Sequence, residues 1–141
     1  MREIKFCGKT FYSEWVYGLL YTYNAKYWIL PIKPNKTGMT WYEYLGSKLE
    51  IEGAERVIPE TVGEYTGLKD KNGKEIYEGD IVKDAVGRIG KIQWNKKMQR
   101  YEVFYCLGHI AEIQQWWANS ELQVLGNKYE NPELLEDDTD D

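Results

Sequence analysis

The chain is poor in the residues that most often declare a chemistry. Its 141 residues include two cysteines (Cys7 and Cys106), one histidine (His109) and four prolines. Two cysteines this far apart make no disulfide framework, and without histidine or carboxylate help they make no metal site. They are expected to be the reduced thiols of a cytoplasmic protein. Four prolines against 13 glycines exclude a proline-rich linker and favour many tight turns. The longest nearly apolar run, Trp15 to Tyr23, is too short to cross a bilayer, and Arg2, Glu3 and Lys5 interrupt any signal-peptide pattern. No membrane partner is expected. Walker A, GxGxxG, HExxH and CxxC patterns are all missing, so no cofactor is expected.

An excess of base is missing too. The formal net charge of −5 is unevenly spread: residues 130–141 hold seven acids and no base. The other 129 residues carry 18 bases against 16 acids, about +2. The acidity therefore belongs to the end of the chain, and residues 136–141 read as a disordered acidic tail.

Aromatics are abundant at 15% of the chain, with 12 Tyr, 6 Trp and 3 Phe. Together with β-branched residues they suit a pleated, half-buried surface, so the fold is expected to be mainly β with little helix. Ile4–Phe6 reads as a first strand. Phe11 to Tyr23 and Tyr27 to Leu30 read as an aromatic-rich hairpin broken at Asn24-Ala25-Lys26. Pro31–Gly38 reads as a loop, Met39–Leu45 as a strand and Lys48–Ile51 as a short alternating piece.

The stretch from Val57 to Lys83 is the densest in turn chemistry. Asp70-Lys-Asn-Gly73 and Glu78-Gly79-Asp80 mark reversals, with Asn72 and Gly73 suited to positive φ. Strands follow at Ile81–Lys83, Lys91–Trp94, Arg100–Tyr105, His109–Ile113 and Leu122–Leu125. A Gly-punctuated turn over 84–90 and a polar loop over Asn95–Gln99 separate the first of them. Asn131-Pro132-Glu133 reads as a short helix start, with Asn131 as its cap. Several short strands at regular spacing point to a small antiparallel barrel or sandwich. No internal repeat recurs at a fixed period.

Ile58-Pro-Glu-Thr-Val-Gly63, Tyr65-Thr-Gly-Leu-Lys-Asp70, Asn72-Gly-Lys74 and Ile76-Tyr-Glu-Gly-Asp-Ile-Val82 follow one another in this central stretch. Gly126-Asn127 and Tyr129-Glu-Asn-Pro-Glu-Leu-Leu135 come later. In this order the pieces resemble the YopX family of phage-associated proteins over residues 57–135. Ile4-Lys-Phe6 resembles the family's opening, while Cys7-Gly8-Lys9 departs from its usual Arg- and Trp-containing continuation. The resemblance implies an SH3-like barrel in the C-terminal part and a phage or prophage origin. It implies no activity and supplies no catalytic residues. The expected organisation is an N-terminal β region over 1–56, the signature and barrel over 57–135, and the tail.

Candidate chemistry is sparse. Glu60, Glu64, Glu75, Glu78 and Asp80 form the nearest thing to a carboxylate cluster, which could hold a metal or serve as turn caps; Asn72, Gly73, Gly79 and Asp80 are read as structural turn residues. His109 has Glu112 nearby, but Cys106 on the same expected strand would face the opposite side. No catalytic or metal residues are assigned. Arg88, Lys91, Trp94, Lys96, Lys97, Arg100 and Tyr101 form the one basic and aromatic patch, a candidate grip for single-stranded nucleic acid. Trp116 and Trp117, read as strand neighbours on opposite faces, are candidates for a protein interface. The reading is a non-enzymatic module of unknown biochemical function that binds an unidentified protein or itself. A nucleic-acid-binding module is the alternative, and an enzyme with a carboxylate site comes third.

Overall fold

The structure is a computed structural model that describes residues 3–31 and 53–136. The strands expected over Met39–Leu45 and Lys48–Ile51, most of the loop after Pro31 and residues 137–141 lie outside them. The chain divides into two compact units, residues 4–62 and residues 63–141 with residues 1–3. The division falls at Gly63 rather than at the expected 56/57. Residues just past Val57 are still tied to the N-terminal strand: Ile58 N–H donates to Lys9 O at 2.8 Å and Lys9 N–H to Thr61 Oγ1 at 2.9 Å.

Among the described residues, the first unit's strands pair antiparallel in the order β4-β3-β2-β1. Its strands are β1 (Phe6–Lys9), β2 (Trp15–Tyr23), β3 (Lys26–Pro31) and β4 (Glu55–Val57), and a short 3₁₀ turn (Pro59–Thr61) follows. The aromatic hairpin is present, turning at Asn24 and Ala25 with φ of 52° and 61°, the pair of positive values a two-residue hairpin loop requires. Tyr21 stacks obliquely on Trp28 across it, ring centres 5.6 Å apart. Ile29 and Val57 are fully buried. Phe11 and Tyr12 are not in the strand as expected; they sit exposed in the β1–β2 turn.

The second unit contains a hairpin of β5 (Gly63–Lys69) and β6 (Glu75–Tyr77), then a five-stranded antiparallel sheet. The sheet's strands are β7 (Asp80–Lys83), β8 (Ile89–Asn95), β9 (Arg100–Tyr105), β10 (Ile110–Glu112) and β11 (Gln123–Asn127). Their order is β10-β9-β8-β7-β11, with β10 and β11 as open edges, so among the described residues the strands expected to form a barrel make a sheet that does not close. Ile76, Val82, Ile92, Val103, Ala118 and Leu122 form the centre of its core. A seven-residue helix, α1 (Gln115–Glu121), fills the connection from β10 to β11. The helix expected at Asn131 is a 3₁₀ turn, Pro132–Leu135, and Asn131 makes no cap bond to it. Its Oδ1 instead accepts the Asn127 N–H at 3.3 Å.

Among the described residues, four hairpins share one five-residue turn. In Thr10–Glu14, Asp70–Lys74, Asp84–Arg88 and Tyr105–His109, the first N–H donates to the fifth carbonyl and the fourth N–H to the first carbonyl. The fourth residue has positive φ each time: Ser13 at 68°, Gly73 at 81°, Gly87 at 93° and Gly108 at 94°. This is a three-residue hairpin loop, in which that residue must turn left-handed. In three of the four, the first side chain accepts hydrogen bonds from the third and fifth N–H groups. Thr10 Oγ1 takes Tyr12 and Glu14, Asp70 Oδ1 takes Asn72 and Lys74, and Asp84 Oδ1 takes Val86 and Arg88, all within 2.8–3.2 Å. Tyr105 has no oxygen near its backbone to do the same.

Candidate functional site

Two carboxylates of the central stretch, Asp70 and Asp80, serve its turns. Asp70 is 3% exposed, and besides its own turn it accepts the Val124 N–H through Oδ2 at 2.8 Å, fastening β11 to the β5–β6 hairpin. Gly73 takes the positive φ expected of it, whereas Asn72 does not. Gly79 (φ 96°) donates to Ile92 O, and Asp80 Oδ2 accepts the Tyr77 N–H at 2.8 Å. Burial pushes the Asp80 carboxyl up to about 7, against the pull of that hydrogen bond and of Lys74. Glu75 accepts from Tyr77 OH and Glu64 from Tyr101 OH. Among the described residues no three His, Cys, Asp or Glu side chains are grouped to hold a metal ion.

The basic and aromatic residues do not gather into one open face. Trp94 and Tyr101 meet edge to face at 4.7 Å and pack in or against the core. Arg88 Nε bonds Asp84 Oδ2 at 2.8 Å, and its guanidinium lies over the Tyr105 ring. Arg100 is held between Glu102 (3.1 Å) and Glu112 (3.5 Å), which face each other across β9 and β10. Lys91 lies over Phe104, and only Lys96 and Lys97 project from the exposed β8–β9 loop. Two buried acids absent from the candidate residues organise the rest. Burial alone would raise Asp84 and Glu102, but hydrogen bonds override it and hold both carboxyls below their ordinary range. Arg88 and Tyr105 bind the first; Asn95, Arg100 and Gln93 bind the second. Asp84 in turn helps burial push the Tyr105 phenol up to about 12. The Asp-x-x-Gly-Lys/Arg spacing shared by 70–74 and 84–88 is the sequence signal that could have found Asp84.

Trp116 and Trp117 are on α1, not on a strand. Adjacent helical residues point about 100° apart, so the pair still divides. Trp117 packs against the core, and Trp116 is 66% exposed with its indole N–H bonded to Gln114 Oε1 at 2.9 Å. Ile113, Trp117, Ala118 and Leu122 recur at helical spacing, but no polar side chain caps the start.

A small open cleft of about 180 Å³ lies between the start of β8, the 105–109 turn and the C-terminal 3₁₀ turn. Ile89, Leu107 and Leu134 supply apolar wall, with Arg88, His109 and Glu136 at the polar positions. Cys106 and His109, expected on opposite faces of a strand, line this same cleft because residues 106–108 form a turn. Binding pockets for cofactors and drug-sized ligands usually hold about 300–1,000 Å³, so this one suits a single side chain.

No curated protein matches the chain in sequence. A family model described as YopX protein matches residues 9–136, taking in most of the N-terminal unit together with the signature pieces around the Asp70 and Gly79 turns. The chain belongs to the YopX family.

Proposed function

We propose that this YopX-family chain is a phage or prophage accessory protein that acts in the host cytoplasm by binding another protein, with no chemistry of its own. The observation that carries this reading is Trp116. Its ring is two-thirds exposed on a helix that Trp117, Ala118 and Leu122 anchor to the core. A rigidly mounted, exposed Trp is the kind of residue on which interface energy concentrates. The strand order supports an SH3-like arrangement: a meander β7-β8-β9-β10, then a short helical connection and a last strand returning beside the first. Such small β modules commonly serve as binding scaffolds.

The test is affinity capture from a lysate of the bacterial host, comparing wild type with Trp116→Ala. A specific prey should be captured by wild type and reduced at least tenfold by the substitution, while circular dichroism stays unchanged. A Lys96→Glu/Lys97→Glu double variant should capture the same prey as wild type. If wild type instead binds single-stranded DNA or RNA with a steep salt dependence that this double variant abolishes, nucleic acid is the ligand and the protein-binding reading fails.

A further inference from the structure

We propose that the 105–109 hairpin and the cleft beside it bind a chain-terminal carboxylate, that of a partner protein ending in an apolar residue. The inference rests on the protein-binding reading above and names the chemistry of one partner contact.

The four related turns differ in one respect. In three of them the third and fifth N–H groups converge on an oxygen supplied by the first side chain. In the fourth the backbone is the same: Tyr105 N–H donates to His109 O at 2.8 Å, Gly108 N–H to Tyr105 O at 2.9 Å, and Gly108 has φ 94°. The N–H groups of Leu107 and His109 therefore stand where those of Asn72 and Lys74, or Val86 and Arg88, stand in the sibling turns. The Tyr105 hydroxyl is carried away to Asp84 Oδ2 at 3.0 Å, and no oxygen of the described residues takes its place on this turn. Two backbone donors aimed at one point, with no acceptor of their own, are a recognised way to hold a carboxylate.

The cleft lies beside those two donors, since Leu107 and His109 line it. Its walls at Ile89, Leu107 and Leu134 are apolar, and about 180 Å³ is room for one aliphatic side chain rather than for a larger ligand. Arg88, whose guanidinium is already paired with Asp84, and His109 also line it, with Glu136 as the one acid. A carboxylate and an aliphatic side chain on one carbon are what the last residue of a protein presents. An internal segment would bring an amide carbonyl instead, with half the acceptor capacity and no charge.

The experiment uses the 141-residue chain labelled with ¹⁵N and two peptides, acetyl-Gly-Ser-Gly-Ser-Leu as the free acid and as the C-terminal amide. Backbone amide resonances are followed to 10 mM peptide. The free acid should shift the Leu107 and His109 amide protons downfield along saturable curves, with the amide form at least tenfold weaker. Replacing the last Leu by Lys should weaken binding as much. Leu107→Asp alters a side chain already 68% exposed in a turn, so it should leave the spectrum folded and abolish the shifts. Equal response to acid and amide, saturable shifts elsewhere only, or none at all would overturn the proposal. The Trp116-dependent capture is scored separately, so the two can fail independently.

Discussion

The turn at Thr10–Glu14 and those at Asp70–Lys74 and Asp84–Arg88 solve the same problem in the two units with different oxygens. In the first unit a neutral hydroxyl takes the two loop N–H groups; in the second a carboxylate does, and its spare oxygen reaches further. Asp70 Oδ2 takes Val124 N–H, and Asp84 Oδ2 takes Arg88 and Tyr105. A hydroxyl has no second oxygen to lend, so the bonds to Thr10 Oγ1 stay within its own turn. The aspartate turns are also structural joints. The units differ in the fourth position too: the second has Gly73 and Gly87, but the first places Ser13 at φ 68°, where a side chain is strained.

That contrast can be broken at its strongest point by Asp70→Ala. The change strands three N–H groups at once, on Asn72, Lys74 and Val124, and should destabilise the second unit by about 3 kcal/mol. Urea unfolding should register the loss; under 1 kcal/mol would mean that water replaces the carboxylate. A smaller effect separates charge from hydrogen bonding. Asp80, raised from 3.8 to about 7 chiefly by burial, holds its proton more tightly folded than unfolded. Its contribution is therefore complete below pH 3.8 and is lost as pH rises through 7. Each tenfold difference in proton affinity is worth roughly 1.4 kcal/mol. Discounted for partial exposure, wild type should lose about 2 kcal/mol across that window. Asp80→Asn keeps an oxygen for Tyr77 N–H and should flatten the curve; parallel thermal melts from pH 4 to 8 would refute it. The smallest effect has the opposite sign. Ser13→Gly gives the first unit the glycine its sibling turns possess and should stabilise it by about 0.5 kcal/mol in thermal melts.

Much of the β architecture was legible because its signals are local. Arg100–Tyr105 forms a strand with the bounds expected, the loop over Asn95–Gln99 is where its polar residues indicated, and Asn24 sits at the hairpin turn. The α1 helix was not legible. Seven residues are too few to establish a periodic stripe, Gln114 makes no side-chain cap, and the Trp pair reads equally well as β. The cleft was hidden for another reason. Ile89, Cys106, Leu107 and Leu134 are scattered in sequence, and only the reversal at Gly108 and the return of the 3₁₀ turn bring them together. Asp70 was visible as a turn residue. Its bond to Val124 was not, because nothing local marks a partner 54 residues away.

That bond also sets a schedule. Bringing together groups 54 residues apart costs roughly 3.5 kcal/mol of chain entropy before any contact repays it. β7 likewise waits for β11, which is the only described strand on its outer side. On a ribosome, the strands of residues 63–112 emerge with the core still open at Leu122 and Val124, and the edge of β7 unpaired. The first unit's strands β1 to β3 lie next to one another in sequence and need no such delay. During synthesis the second unit therefore passes through an interval in which an adhesive strand edge is bare, and β11 is the piece of chain that ends it.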